Sequence, residues 1–149
     1  DPRTMFVVIG DGPERQRVEE TLRPLNLGDR LLLAGRRADA SVLLSAFDLF
    51  ALPSSKEGMP WTLLEAMASG KPIVATDNVG YRDLLSPDES TLVPPASPAA
   101  FADAIADLFT NDHRRREMGE NGVKKAARYS WDRVVEATLD FYHEILNRP

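Results

Sequence analysis

Residues 54–76 constrain the fold of this chain more than any other stretch. They follow an apolar run that ends at Leu52, and Gly58 then permits a tight turn of the backbone. Pro60 is predicted to occupy the first position of a helix, where its missing N–H leaves no hydrogen bond unmade. The pattern therefore predicts a buried strand that passes through a glycine turn into a short helix.

The same stretch predicts how that helix packs and where it ends. Gly70 and Pro72 are typical of positions just beyond a helix, and the run 73–75 predicts the next buried strand. A helix that begins at the carboxyl end of a strand directs free N–H groups at that edge, which suits a phosphate. Four apolar side chains at helical spacing are expected to face the core: Leu63, Leu64, Met67 and Ala68.

Two carboxylates belong to this stretch. Glu57 is in the predicted turn, and Glu65 follows it in the predicted helix. A carboxylate accepts two hydrogen bonds and so can bind neighbouring hydroxyls of a ribose or a sugar. Combined with phosphate-binding amides, the pair suits a nucleotide sugar. In the alternative interpretation, Glu65 is a solvated helix residue and Glu57 interacts favourably with the helix dipole.

Strand-like runs and amphipathic segments alternate along the chain. Strands are predicted at 5–9, 30–34, 48–52, 73–75 and 91–93, and the first should be buried on both faces. The helix predicted over 13–25 should turn Val18, Leu22 and Leu25 inward. Further helices are predicted over 38–47, 99–109, 112–129 and 132–146. The alternation implies one α/β domain: a Rossmann-like open parallel sheet, helices on both faces, and a C-terminal helical extension.

Composition excludes several classes of function. The net charge of −5 argues against nucleic acid as the main partner. With no cysteine and two histidines, neither disulfides nor a cysteine- or histidine-rich metal site is expected. No apolar run approaches the roughly 20 residues needed to span a bilayer, so a cytoplasmic location is the default expectation. The basic residues of segment 114–128 are mixed with glutamates, which favours a solvated helix over membrane contact.

Two other turns carry candidate binding residues. Gly10 and Gly12 follow the first strand, but Arg15 stands where a dinucleotide-binding fingerprint has its third glycine. Arg36 and Arg37 follow the second strand, where a base contact and a solvated loop are both possible. On these residues alone, neither turn indicates a particular nucleotide.

Two later segments complete the set. Asp77, Asn78 and Gly80 follow the fourth strand, at the edge where open α/β sheets bind ligands. Ser130 is predicted to cap the last helix, with Trp131 packed inward.

Residues 57–72 resemble the motif of two glutamates separated by seven residues in retaining glycosyltransferases of the GT-B fold. The group that they resemble most is glycosyltransferase family 4, the group 1 glycosyltransferases. The resemblance implies that Glu57 contacts the transferred sugar and is the catalytic candidate, and that Glu65 binds the ribose hydroxyls. It also implies that Gly58, Met59, Pro60 and Trp61 bind the donor, with the N–H groups near Met59 and Trp61 facing its diphosphate.

In the same family, the turn of Gly10 and Gly12 lies beside the nucleotide pocket, and the segment of Arg36 runs past the base. The implied reaction transfers a sugar from a nucleotide diphosphate sugar to an acceptor with retention at the anomeric carbon. The resemblance implies that no metal or other cofactor is required. The likeness extends over about residues 5–146.

The resemblance also implies that two parts of the family's architecture are missing. These are the N-terminal acceptor-binding domain and the first, central strand of the nucleotide domain, between the strands predicted at 5–9 and 48–52. Those strands are expected either to pair directly or to be bridged by another chain, which would make a homo-oligomer. The isolated chain is expected to bind a nucleotide sugar at best, without turnover.

Two alternatives stay open. One is a sugar-nucleotide 2-epimerase, which shares the GT-B architecture but lacks this two-glutamate motif. The other is a non-catalytic module that binds a nucleotide or assembles with a partner.

Overall fold

A computed structural model describes residues 4–58 and 60–148. The strands are β1 (Phe6–Ile9), β2 (Leu31–Gly35), β3 (Phe50–Leu52), β4 (Ile73–Thr76) and β5 (Ser90–Val93). The helices are α1 (Arg15–Leu22), α2 (Ala40–Leu43), α3 (Trp61–Ala68), α4 (Val79–Arg82), α5 (Pro98–Thr110), α6 (Asp112–Ala126) and α7 (Trp131–Leu146). No helix in this part of the chain is both long and apolar enough to cross a membrane.

The chain forms two compact units, one ending at Ala40 and the other beginning at Ser41. In the first, β1 and β2 are parallel; in the second, β4 lies between β3 and β5, again in parallel. The predicted α/β fold with parallel strands is confirmed. Within the first unit β1 pairs with β2, and within the second β3 pairs with β4, so the expected direct pairing of β1 with β3 stays a prediction. Bridging by another chain stays a prediction.

Strand β4 is the centre of the second unit. Ile73, Val74 and Ala75 are fully buried, as a central parallel strand requires. Ile73 and Ala75 pack in the apolar cluster that includes α3, whereas Val74 packs with Leu108 of α5 and Met118 of α6. Since alternate residues of a strand point to opposite faces, helices cover both faces of this sheet.

Helix α3 ends where the sequence predicts. Gly70 has a φ of +67°, its N–H donates to Met67 O at 2.9 Å, and the Lys71 N–H donates to Ala66 O at 3.0 Å. These two bonds form a Schellman motif, which satisfies carbonyls left over at the helix end. The predicted apolar stripe needs one correction: Ala66 is buried and Ala68 is exposed.

The first unit is less buried than its apolar sequence predicts. Phe6 is 46% exposed and Val8 45%, so β1 is not a strand buried on both faces. It has one neighbouring strand, and the side chains of Phe6 and Val8 point to one face of that pair. Val18 and Leu25 are exposed as well, while Leu22 is half-buried. The chain leaves the α-helical repeat at a 3₁₀ turn, Arg23–Leu25, which removes Leu25 from the predicted stripe.

The start of α7 confirms one prediction and corrects another. The Arg133 N–H donates to Ser130 Oγ at 3.5 Å, so Ser130 caps the helix as predicted. Trp131 is not packed inward, since it is 70% exposed. Its indole instead stacks on that of Trp61, with the ring centroids 6.0 Å apart and the planes 19° from parallel. Trp131 therefore packs against an exposed tryptophan and not against the core.

An ion pair between a buried glutamate and a partly buried lysine joins the segment before β5 to α6. Glu89 is 1% exposed and accepts hydrogen bonds from the Ser86 N–H at 2.5 Å and the Ser86 hydroxyl at 2.7 Å. Lys125 of α6 places its Nζ 2.6 Å from Glu89 Oε1. The buried carboxylate is therefore compensated by one cation and two further donors.

Candidate functional site

The loop between β3 and α3 leads into a helix whose first turn has no side-chain cap. Pro60 is buried, with a φ of −78° and a ψ of 98°. The prediction that it occupies the first position of the helix is wrong, because Pro60 precedes the helix and Trp61 is its first residue. The extended ψ excludes Pro60 from the helix, and Leu63 N–H donates back to Pro60 O at 3.0 Å. Pro60 offers no side-chain acceptor, so helix geometry leaves the N–H groups of Trp61 and Thr62 without an intrahelical or capping partner.

Both glutamates of the motif are exposed: Glu57 precedes the start of α3 in sequence and Glu65 follows it. Glu65 is on the exposed face of α3, one turn after Trp61, which is 59% exposed. Side chains in a helix lean toward its N-terminus, so the Glu65 side chain is directed toward the first turn of α3. Glu57 is in the preceding loop, beside the exposed Gly58. The predicted role of Met59 lies outside the described residues.

The loop that carries Glu57 is held by the segment after β4. Asn78 Nδ2 donates to Ser54 O at 3.3 Å, which ties the ends of β3 and β4 together. Gly80, in α4, lies directly against the carbonyl groups of Glu57 and Gly58. The sequence placed Asn78 and Gly80 at this edge but did not reveal that they contact the loop. No signal was available, because Gly80 falls in the turn predicted after the fourth strand, where glycine is common for reasons of its own.

The segment after β4 also contains an ion pair, between Asp77 and Arg82. Arg82 donates from Nε and Nη2 to the two carboxylate oxygens of Asp77, at 2.7 and 2.9 Å. The hydrogen bonds from Arg82 hold the pKa of the Asp77 carboxyl below its ordinary value. The same pair raises the pKa of Arg82. This two-bond geometry orients the turn from β4 into α4.

Replacing Asp77 with asparagine is expected to lower the melting temperature at neutral pH by a degree or two, as exposed pairs contribute little. The folded-state pKa is lowered, so the pair stabilises the fold above the unfolded value near 4 and loses this effect as the pH falls below it. The difference in melting temperature between parent and variant should therefore shrink between about pH 5 and pH 3. Asp83→Asn, an exposed neighbour, is the control. A difference independent of pH contradicts the prediction.

The remaining predicted site residues belong to the first unit. The Gly10 N–H donates to Gly35 O at 2.8 Å, which joins the ends of β1 and β2, and Gly10 has a φ of +144°. Gly12 N–H donates to Asp11 Oδ1 at 2.9 Å. Arg36 is exposed. Their contact with a nucleotide stays a prediction.

Three cations near the sequence motifs have different surroundings. Arg37 is engaged by both carboxylate oxygens of Asp39, each at 2.8 Å, which raises its pKa. Lys71 donates to Ser45 O at 2.9 Å. Lys56 is exposed. Within 4–58 and 60–148, no three histidine or acidic side chains are grouped so as to hold a metal ion.

Comparison with known proteins decides the family. Residues 1–125 match the family model described as glycosyl transferases group 1. The chain belongs to the group 1 glycosyltransferases. It is 33% identical, over 99% of its own length, to a 2-deoxystreptamine N-acetyl-D-glucosaminyltransferase of Streptomyces fradiae.

Two solved structures place this group 1 glycosyltransferase chain among known folds. A sucrose-phosphate synthase of Thermosynechococcus elongatus superposes over 94% of the chain, with a TM-score of 0.83 and 28% identity. Anabaena HepE in complex with UDP superposes over 86%, with a TM-score of 0.80 and 27% identity. The chain spans only 36% to 38% of the length of these three proteins.

Proposed function

We propose that this chain binds a nucleotide diphosphate sugar at the start of α3 and the loop before it. The observation that carries the proposal is the uncapped first turn of α3, with the exposed Glu65 one turn further along the same helix. A pyrophosphate suits that turn because its N–H groups and the helix dipole favour negative charge. Glu65 suits the two ribose hydroxyls, and Glu57 suits hydroxyls of the sugar.

In the whole protein, the sugar passes from this donor to an acceptor hydroxyl, with retention at the anomeric carbon, as in glycosyltransferase family 4. The support comes from the two-glutamate motif and from the relatives, of which one is named an N-acetylglucosaminyltransferase and one was solved with UDP. Negative charge grows on the departing diphosphate in the transition state. The preorganised N–H groups of α3 stabilise that charge without a metal ion.

The chain by itself is proposed to bind the donor without turning it over. It covers little more than a third of its relatives, and we place the acceptor site in the part of those proteins that it does not match. Incubation with UDP-N-acetylglucosamine and 2-deoxystreptamine, the compound in the name of one relative, should therefore yield no transfer product by mass spectrometry. A glycosylated product formed by the isolated chain overturns this part of the proposal.

A thermal-shift panel tests donor binding directly. UDP, GDP and ADP, each with and without a sugar, are added to the purified chain. A ligand at 100 times its Kd stabilises the fold by about 2.7 kcal/mol, which corresponds to roughly 5–10 °C for a chain of this size. We expect at least one nucleotide sugar to reach this shift. A flat panel, with no binding heat by calorimetry, overturns the proposal.

A further inference from the structure

Gly80 leaves no room for a side chain where it meets the loop of Glu57. A Cβ atom built on Gly80 would lie 2.7 Å from Glu57 O and 2.8 Å from Gly58 O. Side-chain carbons do not approach other atoms so closely, and both obstacles are backbone atoms that cannot rotate away. The position of the loop therefore depends on the absence of a side chain at residue 80.

The glycine is not required by its own backbone. Gly80 is in α4 and has no left-handed φ, unlike Gly10 or Gly70. Alanine is the stronger helix former, by about 1 kcal/mol in a helix interior and by less near a helix end such as this one. A glycine that is unfavourable for its own helix and sterically required by a neighbouring loop indicates that the contact between them is what matters.

We infer that Gly80 is a positioning residue. Because it has no side chain, α4 can contact the backbone of Glu57 and Gly58, and this contact determines the position of the Glu57 carboxylate. Asn78 is the second attachment of the same loop, through its hydrogen bond to Ser54 O. This inference rests on the proposed function, in which Glu57 recognises the sugar of the donor. It assigns part of the discrimination between a nucleotide sugar and a bare nucleotide to the contact between Gly80 and this loop.

Gly80→Ala tests the inference by calorimetry with UDP and UDP-N-acetylglucosamine. The added methyl group must displace the loop, and a displacement near 1 Å can cost about 10²-fold where geometry is critical. We expect the affinity for UDP-N-acetylglucosamine to fall about tenfold and that for UDP to change less than threefold. A general loss of folding would lower both affinities together.

Gly119→Ala is the matched control. Gly119 is likewise a helical glycine whose added Cβ would meet a backbone carbonyl, that of Gly70, but this contact joins α6 to the far end of α3. It should lower the melting temperature and leave the ratio of the two affinities unchanged. If Gly119→Ala lowers that ratio as much as Gly80→Ala does, the inference is overturned.

A double-mutant cycle separates positioning from simple destabilisation. If Gly80 acts through Glu57, then Glu57→Ala should have little further effect on the ratio once residue 80 is alanine. Additive effects overturn the inference and leave the donor site standing. A parent chain that binds neither UDP nor UDP-N-acetylglucosamine overturns the donor site, and the inference with it.

If Gly80→Ala does not fold, Asn78→Ala replaces it. This variant is expected to lower the ratio of the affinity for UDP-N-acetylglucosamine to that for UDP about threefold, and an unchanged ratio overturns the inference.

Discussion

Replacing Lys125 with methionine is expected to lower the free energy of unfolding by about 3 kcal/mol, because it leaves the buried Glu89 carboxylate without its cation. The two hydrogen bonds from Ser86 remain, which keeps the loss at the lower end of the range for a broken buried pair. The measurement is urea unfolding, with the midpoint and the slope fitted together.

Lys124 provides the matched control, since it is the neighbouring lysine of the same helix and is exposed. Lys124→Met should change the unfolding free energy by less than about 0.5 kcal/mol. The double variant with Glu89→Gln should recover part of the loss, because the buried charge is then gone. Equal losses for the two lysine variants would show that Glu89 does not depend on Lys125.

The second large effect concerns Glu65. Glu65→Ala is expected to weaken UDP binding about 10- to 100-fold, because charge-assisted hydrogen bonds to the ribose contribute about 1.5–3 kcal/mol. Glu65 is exposed and is not part of the core, so the melting temperature without ligand should hardly change. Calorimetry with UDP measures the affinity, and thermal unfolding checks the fold.

Glu57→Ala is the comparison within the same motif. It removes a second exposed carboxylate and should leave UDP binding within about threefold, while lowering the preference for UDP-N-acetylglucosamine over UDP. The two variants thus separate the ribose role from the sugar role. If Glu65→Ala leaves the affinity for UDP intact, the assignment of Glu65 to the ribose is wrong.

The elements of the second unit could be predicted from sequence because their signals are local. Gly70 and Pro72 predicted the end of α3, and the run from Ile73 predicted the buried strand that β4 forms. Helix periodicity, a left-handed glycine and a β-branched run all act within a few residues, so the chain carries them without help from distant contacts.

The predictions of burial were wrong where burial depends on contacts with other elements, which the local sequence does not specify. β1 has the composition of a strand buried on both faces, yet Phe6 and Val8 are exposed beside a single neighbouring strand. Trp131 is a large apolar residue and was predicted to pack inward, yet it is exposed and stacks on Trp61. Apolar character measures the tendency to leave water, and only the packing of other elements decides whether a face is covered.

For the candidate site, the sequence by itself determined the residue types: two glutamates, a glycine turn and a short helix with a proline at its start. Tertiary structure decided how they are held, because Asn78 and Gly80 meet residues 54–58 only after β4 has been laid beside β3. The same holds for Lys125 and Glu89, which are brought together when α6 packs on the sheet. Local spacing specifies which groups are available, whereas contacts between distant segments fix their positions, since those contacts exist only in the folded chain.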